Sequence, residues 1–377
     1  MIVRTDRELG WRRRSGKRAC ALARRVGVDL LPAAGLTLVT VLGAWLLPRF
    51  GGPGVIGTVE LPLSGAGVAL WLVLATLAGA ILFVAERVGA LHRHLRHGST
   101  EVSPLIPAAR RFAVRRGHRI AAAAGGGMLI HGFMPTFLAF KTSIPEFQPF
   151  GRWDVIFIEA DRLVHGGAHP WEILHPLVGL PSLTLALDLL YYLWFPVTIL
   201  GFLLVTVSIP GSDRARFLLS FSATWILLGI VMATATASVG PCYVAYIPGV
   251  DDPYEGLMAY LAGVDAESRI RALEIQGMLW LAYEEGHRGL TSGIAAMPSL
   301  HVAIPALFAT AVWTRSRVVS LALWGYTFLI FIGSVHLGWH YAMDGYVSIV
   351  AVLVLWWASG RICGWSFRNS PAWGRPS

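Results

Sequence analysis

Two short stretches of this 377-residue chain place histidines and an acid at the edges of apolar segments. MPSLHVA holds His301, and HLGWHYAMDGY holds His336, His340 and Asp344. The last three residues are spaced by four, so on a continuous helix they form one stripe. Asp344 then reaches one ring nitrogen of His340, which fixes the tautomer and raises the basicity of the other nitrogen. A histidine oriented in this way is a good nucleophile or general base.

His301 begins a different helix, which we expect at the same membrane level. Pro298 and Ser299 precede it, and Ser299 or the unpaired N–H groups of the first helical turn could hold an anion. A helix N-terminus, two histidines and an orienting carboxylate together suit the transfer of a phosphoryl group. In such a reaction one histidine attacks phosphorus and the other protonates the departing oxygen.

Three other interpretations use the same residues. Histidines and a carboxylate at this spacing would suit zinc or iron, which makes a metal-dependent membrane hydrolase an alternative. The histidines could also be packed at an interfacial belt. In a non-catalytic transporter or anion-binding protein they would bind an anion or protons, although no inverted repeat or pair of broken helices is visible in the sequence.

The composition indicates a membrane protein. Hydrophobic residues make up 55% and charged residues 14% of the chain, whereas a soluble domain normally has about a quarter charged residues. Several apolar runs approach the roughly 20 residues that a helix needs to cross a bilayer. We predict an all-α integral membrane protein with about eight transmembrane helices. They are placed at 29–47, 65–85, 119–140, 183–208, 217–239, 300–314, 318–335 and 344–360.

The placement of charge predicts the orientation. The net charge of +9 is concentrated in the tails and in every second link between the predicted spans, including the basic segment 86–118. Of the other links, residues 141–182 hold three basic and five acidic side chains, and residues 240–299 hold three basic and eight acidic ones. By the positive-inside rule both termini are cytoplasmic and both histidine stretches lie on the outer side. The same rule accounts for the net charge, so no nucleic-acid partner is expected.

The two histidine stretches resemble known motifs. AMPSLH (296–301) and HYAMD (340–344) are similar to the second and third motifs of the type-2 phosphatidic acid phosphatase superfamily, which read Pro-Ser-x-His and His-x-x-x-Asp. Leu300 and the segment VGPCYVAY (239–246) are closer to the branch that includes inositol phosphorylceramide synthase. The resemblance covers about residues 141–360, and it implies a six-helix catalytic core made of predicted helices 3–8.

The resemblance also implies a role for each residue of the two motifs. His340 would be the nucleophile that forms a phosphohistidine, and Asp344 would orient it. His301 would be the general acid toward the leaving group, and Ser299 would help to bind phosphate. The Pro-Ser-Leu-His context weighs against the metal site, so no metal and no cofactor is expected.

Two departures from the phosphatase pattern concern positive charge. The phosphatases have an arginine six residues before the nucleophilic histidine, where this chain has Ser334, and their first motif, a lysine and an Arg-Pro pair, is not found before PSLH. Other cations must then neutralise the phosphate. The candidates on the predicted outer side are Lys141, Arg152, Arg162, Arg269, Arg271 and Arg288. Lys141 is the first choice, and a protonated His336 could cover part of the vacancy at position 334.

The predicted function is that of a membrane lipid phosphatase or phosphotransferase. Its substrate would be a phosphoester or phosphodiester of a membrane phospholipid or lipid phosphate. If water resolves the phosphohistidine, the enzyme is a phosphatase. If an alcohol or a second lipid accepts the group, it is a transferase, which the resemblance to the synthase branch favours.

The predicted domain organisation follows from the spans and the resemblance. Residues 1–28 form a basic cytoplasmic tail, and residues 29–118 hold two additional helices and a basic cytoplasmic loop. Residues 119–360 form the catalytic membrane domain, and residues 361–377 form a second cytoplasmic tail. We expect the protein in a bacterial inner membrane, with the active site on its outer side.

Overall fold

A computed structural model describes residues 26–44, 65–97, 104–287 and 292–369. These ranges are helical and contain no β-strand, which confirms the predicted all-α class. The helices are α1 (Val26–Ala44), α2 (Gly65–His97), α3 (Leu105–Phe147), α4 (Arg152–Val164), α5 (Pro170–Val178), α6 (Pro181–Tyr192), α7 (Trp194–Ser208), α8 (Gly211–Ala235), α9 (Glu255–Glu267), α10 (Arg271–Glu284), α11 (Leu300–Val312), α12 (Arg317–His336) and α13 (Ala342–Asn369). A short 3₁₀-helix, Pro241–Tyr246, follows α8.

Within the described ranges, six helices are long and apolar enough to cross a membrane, namely α1, α2, α3, α8, α12 and α13. The helices α5 and α6 also meet this test when taken together, but they are bent by 114° at their junction. The helices α7 and α11 are apolar and shorter. The chain is thus built as an integral membrane protein, and the count of eight spans stays a prediction.

The helix boundaries differ from the predicted spans at several places. The helix α3 passes through position 119 without a break, and α13 passes through position 360. Neither end of the predicted catalytic domain therefore coincides with the end of a helix. The predicted span 183–208 is divided at Leu193 into α6 and α7. Pro196 lies in the first turn of α7 and has no N–H group for the carbonyl four residues earlier, which favours a break at this point.

The helix α11 lies at the centre of the assembly. None of its side chains is exposed, and it packs against α7, α8, α12 and α13. Phe308 of α11 lies over Gly201 of α7, where an added Cβ atom would come within 2.5 Å of the ring. Since its surroundings are protein rather than lipid, this 13-residue helix can be short and can contain Pro305.

The two N-terminal helices pack onto the rest of the protein. The buried side chain of Arg214 on α8 forms an ion pair with Asp29 of α1. Arg214 also donates to the carbonyl oxygens of Thr206 and Ile209, at 3.0 and 3.1 Å, and so satisfies carbonyls at the end of α7. The helix α2 packs along α3 and α7. These contacts join α1 and α2 to α7 and α8, both of which pack against α11.

Candidate active site

The segment that contains His340 lies between two helices rather than on one. Because α12 ends at His336 and α13 begins at Ala342, the expectation of one continuous helical stripe is wrong. Gly338 has a φ of +74°, a left-handed conformation that suits glycine. The carbonyl oxygen of Ser334 accepts the N–H groups of Trp339 and His340, at 2.9 and 3.1 Å. The chain therefore turns sharply between the two histidines.

The predicted contact between His340 and Asp344 is present. His340 Nδ1 lies 3.1 Å from Asp344 Oδ2, and the same oxygen accepts the N–H of Tyr341 at 3.1 Å. Asp344 is fully buried and His340 is 6% exposed. The carboxylate selects the tautomer that carries its proton on Nδ1. The other ring nitrogen, Nε2, has no hydrogen bond to the described residues and is the one left for chemistry.

Asp161 of α4 caps the helix that begins directly after His340. Its two carboxylate oxygens accept the N–H groups of Ala342 and Met343, at 2.8 and 2.9 Å. These are two of the N–H groups that the start of α13 would otherwise leave unpaired. Burial raises the pKa of Asp161 to about 6. At neutral pH the carboxylate is ionised and holds the start of α13 in place.

Asp154, about two turns before Asp161 on the same face of α4, joins three segments around the site. Its Oδ1 accepts the N–H groups of Val239 and Gly240, at 2.9 and 3.3 Å, and the hydroxyl of Tyr341 at 2.8 Å. Its Oδ2 accepts the N–H of Gly151 at 3.0 Å. Burial raises the pKa of Asp154 despite these four donors. The carboxylate links α4, the segment before the 3₁₀-helix and the residue next to His340.

The VGPCYVAY segment supports the turn that precedes His340. The N–H of Cys242 donates to the carbonyl oxygen of Gly338 at 2.9 Å. Gly240 has a φ of +92°, and an added Cβ atom there would lie 2.7 Å from the carbonyl oxygen of Trp339. Any larger residue at position 240 would push this segment away from the turn. The segment thus supports the turn before His340 through backbone contacts.

His301 reaches the same place from α11. Ser299 caps this helix, because its hydroxyl accepts the N–H of Val302 at 3.4 Å. The imidazole of His301 lies between the rings of Tyr191 and Trp194, with both centroids 4.4 Å away. Its centroid is 6.0 Å from that of His340. At this separation one phosphoryl group can touch both imidazoles.

A cavity of about 630 Å³ opens onto the two histidines. Its walls are mainly apolar and aromatic side chains of α3, α7, α8 and α10. Lys141, Asp188 and Arg271 are the charged residues that line it, among those the structure describes. Lys141 has no hydrogen bond or ion pair with the described residues, whereas Asp188 accepts the N–H groups of Arg271 and Ala272 at 3.2 and 2.8 Å. Lys141 is therefore the cation left free for an anion.

Two predicted site residues lie elsewhere. The Nε2 of His336 bonds with the hydroxyl of Thr184 at 2.9 Å, and its ring packs near His175 and Tyr260. His336 does not line the cavity. Ser299 is fully buried and serves as the helix cap, while its neighbour Pro298 lines the cavity. The structure brings together His301, His340, Asp344 and Lys141, but not His336 or the Ser299 side chain.

The other candidate cations also differ in position. Arg162 and Arg269 form exposed ion pairs with Glu159 and Glu274, and Arg152 is exposed away from the cavity. Arg271 lines the cavity, with its guanidinium 3.7 Å from Asp188. Arg288 lies outside the described residues. The chain thus offers Lys141 first and Arg271 second.

The carboxylates on α4 were not recognised as site residues from the sequence, although the sequence holds a signal for them. Asp154 and Asp161 are seven residues apart, so they share a helix face with the apolar Phe157 and Ile158. A charged residue on the apolar face of a helix is costly unless it has partners. Two such residues on one face indicate that the helix holds polar backbone groups of another segment.

The described residues contain no group of three or more histidine, cysteine, aspartate or glutamate side chains arranged to hold a metal ion. The Asp344 carboxylate contacts His340 Nδ1 rather than converging with it on a common point. The histidine that would complete a ligand set, His336, faces Thr184. The geometry is that of the His340 imidazole oriented by the Asp344 carboxylate.

The comparison with protein families decides the class of the chain. A family model described as the PAP2 superfamily matches residues 156–358, just over half of the chain. The chain belongs to the PAP2 superfamily. No curated protein and no solved structure matched it.

Membership of the PAP2 superfamily suggests phosphatase-type chemistry on a lipid phosphoester. The matched range includes the PSLH and HYAMD motifs and Asp161, whereas Asp154 lies two residues before it. It excludes α1, α2 and α3, and with them Lys141. The PAP2 match therefore covers the histidines and does not reach Lys141.

Proposed function

We propose that this protein is a membrane lipid phosphatase or phosphotransferase that works through a phosphohistidine on His340. One observation carries the proposal. His340, oriented by Asp344, and His301 lie 6.0 Å apart, centroid to centroid, on a cavity of about 630 Å³ in a PAP2 protein. Nε2 of His340 is the nucleophile, because Nδ1 is held by the carboxylate.

The reaction then has two balanced steps. In the first, the Nε2 lone pair of His340 forms a bond to phosphorus, the bond from phosphorus to the leaving oxygen breaks, and His301 gives its proton to that oxygen. In the second, the oxygen of water or of an alcohol attacks phosphorus, His301 takes its proton, and the N–P bond breaks. His301 is thus the general acid of one step and the general base of the other.

Lys141 and the start of α11 supply the positive field for the phosphate. Lys141 lines the cavity and has no hydrogen bond or ion pair with the residues that the structure describes. The first N–H groups of α11 are those of Leu300 and His301, both of which line the cavity. A helix N-terminus with a free lysine is a suitable anion site. Together they replace the arginine that is absent at Ser334.

The lining of the cavity favours a lipid and a transfer reaction. Aromatic and aliphatic side chains such as Phe137, Leu138 and Trp225 surround the phosphate position, so an acyl chain has apolar surface to occupy. Leu300, the motif residue that is closer to the synthase branch, lies in the same wall. An apolar wall beside the histidines limits access of water and favours an alcohol or lipid acceptor, as in the synthase branch.

The topology is part of the proposal. Eight spans, with both termini cytoplasmic and the catalytic domain over 119–360, place the histidines on the outer side of a bacterial inner membrane. The basic residues of segment 86–118 then lie on the cytoplasmic side. A cysteine-accessibility experiment with single cysteines at Arg111 and Asp251, on a variant without native cysteines, tests this arrangement. Labelling of position 111 from outside the intact cell would contradict it.

A non-catalytic transporter or anion-binding protein is the alternative function. It uses the same cavity, with Lys141 and the histidines binding an anion that is released unchanged. No specific contact favours it over catalysis, because an imidazole held by a buried carboxylate is the arrangement of a nucleophile or base.

The test is lipid turnover by the purified full-length protein. Mixed bacterial lipids are supplied in detergent micelles, and the products are read by lipid mass spectrometry with and without an added acceptor alcohol. We expect a new lipid or released headgroup that is lost in His340→Ala and unaffected by a chelator. A dephosphorylated lipid alone indicates a phosphatase, and a product that contains the acceptor indicates a transferase.

The controls separate the rival functions. Loss of activity with chelator would support the metal-dependent alternative, and turnover at the wild-type rate in His340→Ala would remove the proposed nucleophile. Lys141→Gln tests the phosphate site. It should raise KM or lower kcat by about 10- to 100-fold, as expected for loss of a charged contact to the reacting group. Arg152→Gln, an exposed residue that does not line the cavity, is its matched control.

A further inference from the structure

A second cleft lies between α2 and α3, far from the histidines. It has a volume of about 610 Å³ and is bounded by α2, α3 and the link before α12. Arg115 in this cleft and Lys141 of the histidine cavity are on the same helix, about 39 Å apart at 1.5 Å of rise per residue. The cleft is therefore a separate site and does not depend on the proposed function.

Arginine dominates the lining of this cleft. Seven arginines and a single carboxylate line it among the described residues, namely Arg87, Arg93, Arg111, Arg115, Arg116, Arg119, Arg315 and Glu86. Such a concentration of one charge in a concave surface repels itself and is stabilised by a bound anion. Arginine is the side chain best suited to bind phosphate, because its planar guanidinium can make two parallel hydrogen bonds.

The arginines divide into two groups by their partners. Arg116 and Arg119 hold the end of α7 by donating to the carbonyl oxygens of Val207 and Ser208, at 3.1 and 3.2 Å. Arg116 also pairs with Glu86, and Arg115 lies 3.9 Å from the same carboxylate. These three arginines therefore already have partners within the protein.

The second group is free. Arg87, Arg93, Arg111 and Arg315 have no hydrogen bond or ion pair between their side chains and the described residues. These four guanidinium groups lie on three elements of the chain and have no carboxylate partner among the described residues. They leave room and charge for an external anion that carries one or two phosphate groups.

The surface next to the cleft is apolar. Val88 and Leu91 on α2 are 61% and 48% exposed, and Val114 on α3 is 78% exposed. A soluble polyphosphate gains nothing from these side chains. An amphiphile with a phosphate head and acyl chains matches both the arginines and the apolar flanks, as basic pockets between transmembrane helices do.

We propose that this cleft binds the phosphate-bearing headgroup of an anionic membrane lipid, with its acyl chains along the exposed faces of α2 and α3. The bound lipid bridges α2, α3 and the α11–α12 link. It thereby ties α2 and α3 to the PAP2 core at the end of the molecule opposite the histidines.

The test compares two double variants that remove the same charge. Arg93→Gln with Arg111→Gln removes two free arginines from the cleft. As the control, Arg96→Gln with Arg110→Gln removes two exposed arginines from α2 and α3. Neither Arg96 nor Arg110 lines the cleft. Native mass spectrometry of the full-length protein counts bound dioleoyl phosphatidylglycerol against dioleoyl phosphatidylcholine. We expect the cleft variant to lose phosphatidylglycerol occupancy by at least about tenfold and the control variant to keep it.

Two outcomes would overturn the proposal. Equal losses in both double variants would mean that the lipid responds only to general surface charge. In a parallel arm, binding of inorganic pyrophosphate is measured by calorimetry on the same proteins. If the cleft variant loses pyrophosphate binding but keeps phosphatidylglycerol, the cleft takes a soluble polyphosphate and the lipid assignment is wrong.

Discussion

His340 and His336 lie four residues apart in the chain, yet they occupy opposite kinds of environment. His340 lines a cavity, faces a second imidazole at 6.0 Å and is oriented by Asp344. His336 is fully buried, bonds with Thr184 and packs against two aromatic rings. Residue type and burial are similar in both cases. What differs is the turn between them.

The turn exists because other segments hold it. The left-handed Gly338 reverses the chain, Cys242 bonds to its carbonyl oxygen, and Asp161 caps the helix that restarts at Ala342. Each of these contacts satisfies a backbone group that the helix break leaves unpaired. The comparison shows that the position of His340, the proposed nucleophile, depends on contacts that other segments make with the backbone of the turn. The predictions below test that difference, from the largest expected effect to the smallest.

The largest effect is expected from exchanging the two histidines for alanine, one at a time. His340→Ala should lower kcat by more than about 10³-fold, because it removes the nucleophile. His336→Ala should keep kcat within about threefold and lower the stability by about 1–3 kcal/mol, the usual cost of an unpaired buried group. Turnover and thermal unfolding of the two variants check this. Similar losses of activity in both would contradict the separation of the two sites.

Asp344→Asn tests the orientation of His340 with little change in shape. The amide cannot hold the imidazole in the tautomer that leaves Nε2 free, so kcat should fall by about 10²- to 10⁴-fold. KM should change little, because Asp344 does not line the cavity. Steady-state kinetics separates the two parameters. A change confined to KM would assign Asp344 to binding instead.

Asp161→Asn tests the support of the turn. Asparagine can accept only one of the two N–H groups of α13 well, so we expect a loss of about 1–2 kcal/mol in stability and about 10- to 100-fold in kcat. Because burial raises the pKa of Asp161 to about 6, the wild-type carboxylate takes up a proton, and the cap weakens, as the pH falls through about 6.

The pH profile gives this prediction a specific readout. Protonation of the Asp161 carboxylate weakens the cap, so the wild-type kcat should fall as the pH drops through about 6. In Asp161→Asn this part of the pH dependence should be absent, because asparagine takes up no proton in this range. A pH dependence that is the same in both proteins would show that Asp161 stays ionised or does not position the turn.

The smallest effect is expected at the support of the other histidine. Thr184→Val removes the hydroxyl that bonds with His336 and Tyr260. The stability should fall by about 1–2 kcal/mol, while kcat and KM stay within about twofold of wild type. A loss of activity as large as that of Asp161→Asn would show that the two histidine environments are coupled.

The sequence predicts the helical membrane class and the contact between His340 and Asp344 because both follow from local rules. Apolar length indicates a span, and a spacing of four brings two side chains together near a helix start. The meeting of His301 with His340 also follows, from two motifs at one membrane level. These features need no knowledge of how distant segments pack.

The rest depends on tertiary contacts that spacing alone does not encode. His336 fits the same four-residue pattern, but the left-handed Gly338 breaks the stripe. Asp161 and Asp154 accept backbone N–H groups that lie between 85 and 182 positions away. Every residue except proline has such a group, so the sequence does not show which ones become partners. Ser299 and Arg162 have the right chemistry, but a helix cap and an exposed ion pair already use them.

The central claim is that His340 carries the phosphorus during turnover. The most direct measurement is an alkaline quench of the enzyme and its lipid substrate, because phosphohistidine is stable to base and labile to acid, followed by peptide mass spectrometry. We predict a phosphoryl or phosphodiester group on the peptide that contains His340 in the wild type, and no such group in His340→Ala. Turnover with no such adduct in the wild type, or with the group on another residue, would contradict the account.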